Sequence, residues 1–149
     1  NSTIPVLAIA ETTISILAYI GPNDNVTIEN ANIGIDNYNA TTIYAFHGGV
    51  AKNCKITIND STATSVYGMW NGKEISNSDI QIVSTATTVR GVTGTDRVTF
   101  NNIYHIGSTG GNSIVANSGN ILIGNIVSRP ISKSSLDTVV DLGNLEIPA

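Results

Sequence analysis

A short pattern recurs along most of this chain at nearly constant spacing. Thr-Thr-Ile-Tyr-Ala-Phe at 41–46 returns as Thr-Ser-Val-Tyr-Gly-Met at 64–69 and as Thr-Thr-Val-Arg-Gly-Val at 87–92. A looser copy is Asn-Ser-Ile-Val-Ala-Asn at 112–117, and a degenerate first copy lies between Thr12 and Tyr19. The apolar anchors Ile43, Val66, Val89 and Ile114 are separated by 23, 23 and 25 residues. A fixed period of this length is the mark of stacked repeats, in which one unit cannot bury its own apolar face.

Two further segments complete each repeat. The second carries an apolar residue (Val26, Val50, Ile75, Val98, Ile121) and then an Asn at a bend (Asn30, Asn53, Asn77, Asn102, Asn125). The third alternates apolar with polar, as in Ile33-Gly-Ile35, Ile56-Thr-Ile58 and Ile80-Gln-Ile82, and less regularly in Ile103 to Ile106 and Ile126-Val127. Alternation at period two puts one face of a strand inside. No segment keeps a helical period, and there is no room for crossover helices. The pattern predicts an all-β, right-handed parallel β-helix of about five coils. Ile43, Val66, Val89 and Ile114 are expected to stack as one aliphatic ladder, and the Asn set as a polar ladder at a left-handed corner. A β-sandwich also has many short strands, but it does not require matched side chains at this period.

The whole of 1–149 reads as one domain, with core coils over about 12–131. After Ser132 the repeat breaks. Leu136, Val139, Val140, Leu142, Leu145 and Ile147 form an apolar strip over 132–149, expected to cover the open end of the coil or to pack on another chain. Solenoids need such ends to avoid edge-to-edge aggregation.

Charged residues make up only 12% of the chain and the net charge is −4, with the basic residues scattered. That argues against nucleic acid and against an anionic membrane surface as partners. The apolar stretch Ile4 to Ile20 is interrupted by Glu11, Thr12 and Thr13, which argues against membrane insertion. The lone Cys54 excludes an internal disulfide and reads as a small buried side chain.

The chemistry-bearing residues are few. No phosphate-binding loop or nucleophile elbow is present. His47 and His105 are far apart in the repeat frame, so neither a metal site nor a cofactor is expected. Asp36 is aligned above Asn59, with Asp60 beside it, so Asp36 and Asp60 are the candidate carboxylates for glycan cleavage; both also read as turn residues, as do Glu74 and Asp96. Lys55 and Asp79 are expected to form a surface pair between coils. An outward stripe of Tyr44, Tyr67 and Arg90, flanked by His47, Trp70 and Thr93, suits a sugar ring, a protein interface or simple cross-strand packing.

The coil pattern, with its Thr-Thr-Val and Ser-Asn-Ser punctuation, resembles the pectate-lyase-like β-helices of bacteriophage tailspikes and neck appendages over roughly 12–131. The resemblance implies a homotrimer on a virion that binds, and in some members cleaves, host surface glycans. This chain is shorter and lacks a carboxylate cluster. It is therefore expected to be a C-terminal assembly or trimerisation module without glycan-degrading activity. The start at Asn1-Ser2 without Met is compatible with self-cleavage of an autochaperone at that junction. The alternatives are a glycan-binding or glycan-degrading domain, and a fragment of a bacterial adhesin or autotransporter passenger at the cell surface.

Overall fold

The computed structural model of the chain describes residues 2–9, 15–17, 27–37, 40–106, 111–133 and 138–147, excepting the side chains of 2–9, 15–17, 105 and 106. Every element in it is a short β-strand. β1 (Ser2–Ile9) precedes a first coil of β2 (Ser15–Leu17), β3 (Thr27–Glu29) and β4 (Ala31–Asn37). The next coils are β5 (Thr42–His47), β6 (Val50–Lys52), β7 (Lys55–Asp60), then β8 (Ser65–Trp70), β9 (Glu74–Ser76), β10 (Asp79–Val83). They are followed by β11 (Thr88–Thr93), β12 (Arg97–Thr99), β13 (Asn102–Ile106), then β14 (Asn112–Ala116), β15 (Ile121–Ile123), β16 (Ile126–Val127). A short last coil holds β17 (Ile131–Lys133), β18 (Val140–Leu142) and β19 (Leu145–Glu146).

Each strand pairs in parallel with its equivalent one coil away. The result is three sheets: β1-β4-β7-β10-β13-β16-β19, β2-β5-β8-β11-β14-β17 and β3-β6-β9-β12-β15-β18. This is a parallel β-solenoid of about five turns plus the short last coil. The core is a set of aliphatic columns between the sheets. Ile33, Ile56, Ile80 and Ile103 stack in one, and Ile35, Ile58 and Ile82 in its neighbour, each of them 2% exposed or less. Fully burying such a side chain contributes roughly 1.5–3 kcal/mol.

The repeat is correct, but its finer register differs at five of the aligned residues, Ile114, Val50, Ile121, Asn102 and Asn125. Ile43, Val66 and Val89 do stack, whereas Ile114 pairs with Val92 and belongs to the next column, Phe46-Met69-Val92-Ile114. Ile106 is in register with Val83 and Asn112 with Arg90, so the chain between them is one residue shorter than its counterpart, and spacing alone assigned Ile114 to the wrong anchor. In the second sheet segment Ala51, Ile75, Val98 and Leu122 are in line, so Val50 and Ile121 sit one residue early. The position of Val26 lies outside the described residues.

The corner also differs. Asn30, Asn53 and Asn77 have left-handed backbones, with φ of 56°, 53° and 48°, but the next members of the column are Phe100 (57°), Gly124 (66°) and Gly143 (65°). The N–H groups of Asn30, Asn53, Asn77, Phe100 and Gly124 each donate to the coil beyond, as from Asn77 to Thr99 O and from Phe100 to Ile123 O. Asn102 instead faces outward and donates from Nδ2 to Asp79 Oδ1 at 3.0 Å. Asn125 lies one residue past the corner, in a buried column of Cys54, Ser78, Asn101, Asn125 and Asn144. There each backbone N–H donates to the side-chain oxygen of the next coil, at 3.0, 2.9, 3.0 and 2.9 Å. Cys54 is buried, as its type suggested, at the head of this column.

The C-terminal strip is not a flap over the open end. It runs on as strands of the last coil, with Ile131 against Ile114, Leu142 against Ile123 and Leu145 against Ile126.

Candidate functional site

The aromatic stripe is real and contiguous on the outer face of β5, β8 and β11. Tyr44 pairs with Tyr67, which pairs with Arg90, and His47 pairs with Trp70. The Tyr44 and Tyr67 rings stack at 5.1 Å and 9°, and Tyr44 also stacks on Trp70 at 5.1 Å. His47 meets Trp70 edge-on at 4.7 Å, and the Arg90 guanidinium lies 6.0 Å from the Tyr67 ring centroid. Tyr67 therefore has an aromatic ring from the preceding coil on one face and a cation from the following coil on the other. What it offers outward is a polar edge. Burial, and then the neighbouring Tyr67, raise the Tyr44 phenol above its ordinary value, which keeps it a neutral donor. Thr93 continues the column of His47 and Trp70, as expected, but is covered there. It is buried, and its Oγ1 has no hydrogen-bond partner.

The carboxylate candidates face different tasks. Asn59 stacks on Asp36 and donates to it at 3.2 Å. Asp60 stacks on Asn37 and accepts from Asn37 Nδ2 at 2.6 Å, Ala63 N at 2.9 Å and Ser84 Oγ at 2.7 Å. Asn37, Asp60 and Ser84 form one column, and each caps the turn that follows it by accepting from the backbone of Ala40, Ala63 or Ala86. Both carboxylates line an open cleft of about 230 Å³, yet Asp60 is saturated by its turn-capping work. Glu74 is not in a turn; it lies on β9, with Lys52 at 3.7 Å and Arg97 at 3.6 Å. Asp96 does lie in the turn before β12. Lys55 and Asp79 are in register without forming an ion pair.

Among the described residues, no group of three His, Cys, Asp or Glu side chains is placed to hold a metal. No helix there is long and apolar enough to cross a membrane. The side chains of His105 and Ser2, and all of Asn1 and Leu136, lie outside the described residues.

Reading the outer columns along the axis reveals what the sequence reading missed. One column runs Glu74, Arg97, Ile121, Val140. Its neighbour runs Lys52, Ser76, Thr99, Ile123, Leu142. Across the corner, another runs Lys55, Asp79, Asn102, Ile126, Leu145. Val50 precedes Glu74 in the first column. From Glu74 on, all three change from polar to apolar at the coil of β15 and β16, and Phe100 stands at the corner between them one coil earlier. Phe100, Leu142, Leu145 and Ile147 are 61, 59, 53 and 52% exposed. Phe100, Ile123 and Ile126 were recoverable from the sequence by lining up the left-handed corners instead of the Asn residues.

The inward columns change in the opposite sense. Buried Ala116, Leu122 and Val127 are followed in the last coil by Lys133, Asp141 and Glu146, one on each sheet. Lys133 Nζ and Asp141 Oδ2 pair at 2.8 Å across the end. The last coil thus puts one charge on a core column of each sheet and aliphatic side chains on the outer face, while Ile131 continues the core column of Ile114.

No protein-family model, curated protein or solved structure matches the chain.

Proposed function

We propose that the chain is a non-catalytic assembly module of a virion spike or appendage that serves host attachment, self-associating through its C-terminal coils, with a homotrimer as the expected state. The observation that carries this reading is the in-register change of adjacent outer columns from polar to apolar over the last two coils. Contiguous apolar patches above a few hundred Å² are uncommon on monomers and mark contact surfaces. The carboxylate candidates argue the same way, because Asp60 is committed to a turn. Light scattering at micromolar concentration tests the reading. An oligomer is expected for the parent chain and a folded monomer for the Leu142→Asp, Leu145→Asp double variant. A parent chain that stays monomeric sinks the proposal.

The aromatic stripe favours a second reading, glycan binding on the outer face of β5, β8 and β11. The polar edges of Tyr44, Tyr67, Trp70 and Arg90 line up along one strip and suit a hydroxyl-rich chain. Binding of a bacterial surface polysaccharide that disappears in Tyr67→Ala and Trp70→Ala supports it, and the same binding by both variants excludes it.

A further inference from the structure

We infer that the outer face of β7, β10 and β13 holds a small zwitterion of the phosphoethanolamine type, with its phosphate at Lys55 and its primary ammonium at Asp79. The site lies on the coils before the outer columns turn apolar, and it does not depend on self-association.

Two adjacent outer columns frame the place. One runs Lys55, Asp79, Asn102 and the other Thr57, Gln81, Tyr104. Between them lies a groove of about 200 Å³. That is smaller than the roughly 300–1,000 Å³ pockets of drug-sized ligands, so the groove takes a short molecule. Lys55 and Asp79 are neighbours in register, yet they form no ion pair. Asp79 is instead engaged by the coil beyond, where its Oδ1 accepts from Asn102 Nδ2 at 3.0 Å. Among the described residues, the side chains of Lys55, Thr57, Gln81 and Tyr104 have no hydrogen-bond or ion-pair partner. A cation and an anion are thus held apart beside a groove whose other polar groups are unspent.

These groups are sorted by level along the axis. On β7 stand the Lys55 ammonium and the Thr57 hydroxyl, with the Gln81 amide one coil on. All three can donate to an oxyanion, and a tetrahedral phosphate has oxygens enough to accept from each. On β10 and β13 stand the second oxygen of Asp79, the side-chain carbonyl of Asn102 and the ring of Tyr104, which is 40% exposed. Oxygens and a ring face together suit an ammonium that carries N–H groups. The two charges of the ligand must then stand about one coil apart, roughly 4.8 Å. A phosphate joined to an amine through two carbons meets that spacing. A lone anion at Lys55 would also face the Asp79 carboxylate, and a lone cation at Asp79 would face Lys55. The zwitterion is paired at both ends, so the site prefers it to either half.

Titration with O-phosphoethanolamine, followed through backbone amide NMR shifts, tests the site. Shifts at Thr57, Gln81 and Asn102 that saturate with a Kd of about 1 mM are expected. Inorganic phosphate and ethanolamine, the two halves, are each expected to bind about tenfold more weakly. Lys55→Met and Asp79→Asn, both at exposed positions, are each expected to weaken the zwitterion about two- to fivefold at unchanged melting temperature. No shift up to about 30 mM overturns the inference, and so does phosphate alone binding as tightly as the zwitterion. Shifts gathered at Arg90 on the aromatic face, or binding unaltered in both variants, overturn it as well. Phosphatidylcholine vesicles with and without phosphatidylethanolamine separate the sources of the ligand. Co-sedimentation only with the ethanolamine lipid assigns it to a lipid headgroup. Binding of the free compound without co-sedimentation assigns it to a soluble or polymer-borne group, and either result supports the site.

Discussion

Lys133 and Asp141 meet at 2.8 Å across the open end of the coil, each standing where the preceding coil places a buried apolar residue, Ala116 and Leu122. The pair makes the last coil sensitive to acid. Asp141 is held below the ordinary carboxylate range, first by the hydrogen bond from Lys133, with Asn144 and the Lys133 charge assisting and burial opposing. A depressed folded-state pKa contributes stability above the unfolded value, about 3.9 for Asp, and loses it as pH falls through the folded value. Below about pH 4 the amides of Val140 and Leu145, which donate to Asn120 O and Asn125 O, are expected to lose exchange protection before the central coils do. Lys133→Met abolishes this difference between the ends if the pair is its cause.

The buried amide column offers a sharper stability test. Asn125 accepts from Asn101 N and Nδ2, and donates to Val98 O and Asn144 Oδ1. Asn125→Ala leaves these partners unsatisfied at the core, at about 1–3 kcal/mol for each buried group. A loss of roughly 2–5 kcal/mol in urea unfolding is expected, whereas Asn102→Ala, on the outer face, changes stability by about 0.5 kcal/mol or less. Equal effects at the two positions contradict the assignment of Asn125 to the interior.

Asp36 and Asp60 separate structure from chemistry. Asp60→Ala removes the carboxylate that caps the turn at Ala63 and holds Asn37 and Ser84. It is expected to destabilise the domain by about 2–4 kcal/mol, and Asp36→Ala by about 0.5 kcal/mol or less. No polysaccharide turnover is expected from the parent chain. Turnover lost in Asp36→Asn at unchanged melting temperature would restore the enzymatic reading.

Val66 is fully buried between Ile43 and Val89. Val66→Asp places an unpaired charge in an aliphatic column and is expected to unfold the domain; a circular dichroism melt like that of the parent removes the register.

Phe100→Asn carries opposite expectations for fold and assembly. A left-handed backbone suits Asn better than a bulky side chain, so thermal stability of the monomer holds or rises. The ring is the most exposed large apolar group of the corner, so self-association weakens. A drop in both readouts assigns Phe100 to the fold alone.

The coil was legible because stacking forces equivalent residues into register, and Ile56, Ile58, Ile80 and Ile82 repeat without error. The corner was less legible, because several side chains solve the same backbone problem. Asn30, Asn53 and Asn77 tolerate a positive φ, Gly124 has no Cβ, and Phe100 accepts the strain. Following Asn as a letter therefore led to Asn102 and Asn125, which do other work. The aromatic stripe was visible as far as its pairing, but that Tyr67 spends its ring faces on Tyr44 and Arg90 depends on side-chain geometry. The charged end escaped notice because Lys133, Asp141 and Glu146 gain meaning only once their columns are known.

The hydrogen bonds between coils run along the axis, so tension applied end to end loads the coil junctions in series. Every junction then bears the full force, and the shaft is as strong as its weakest one. The junction between the fifth coil and the last is held by β17, β18 and β19, strands of only three, three and two residues, and is the expected point of first rupture. Self-association of the kind proposed above, through the last two coils, would bridge that junction from outside. In single-molecule pulling, the parent oligomer is therefore expected to open at higher force than the Leu142→Asp, Leu145→Asp monomer.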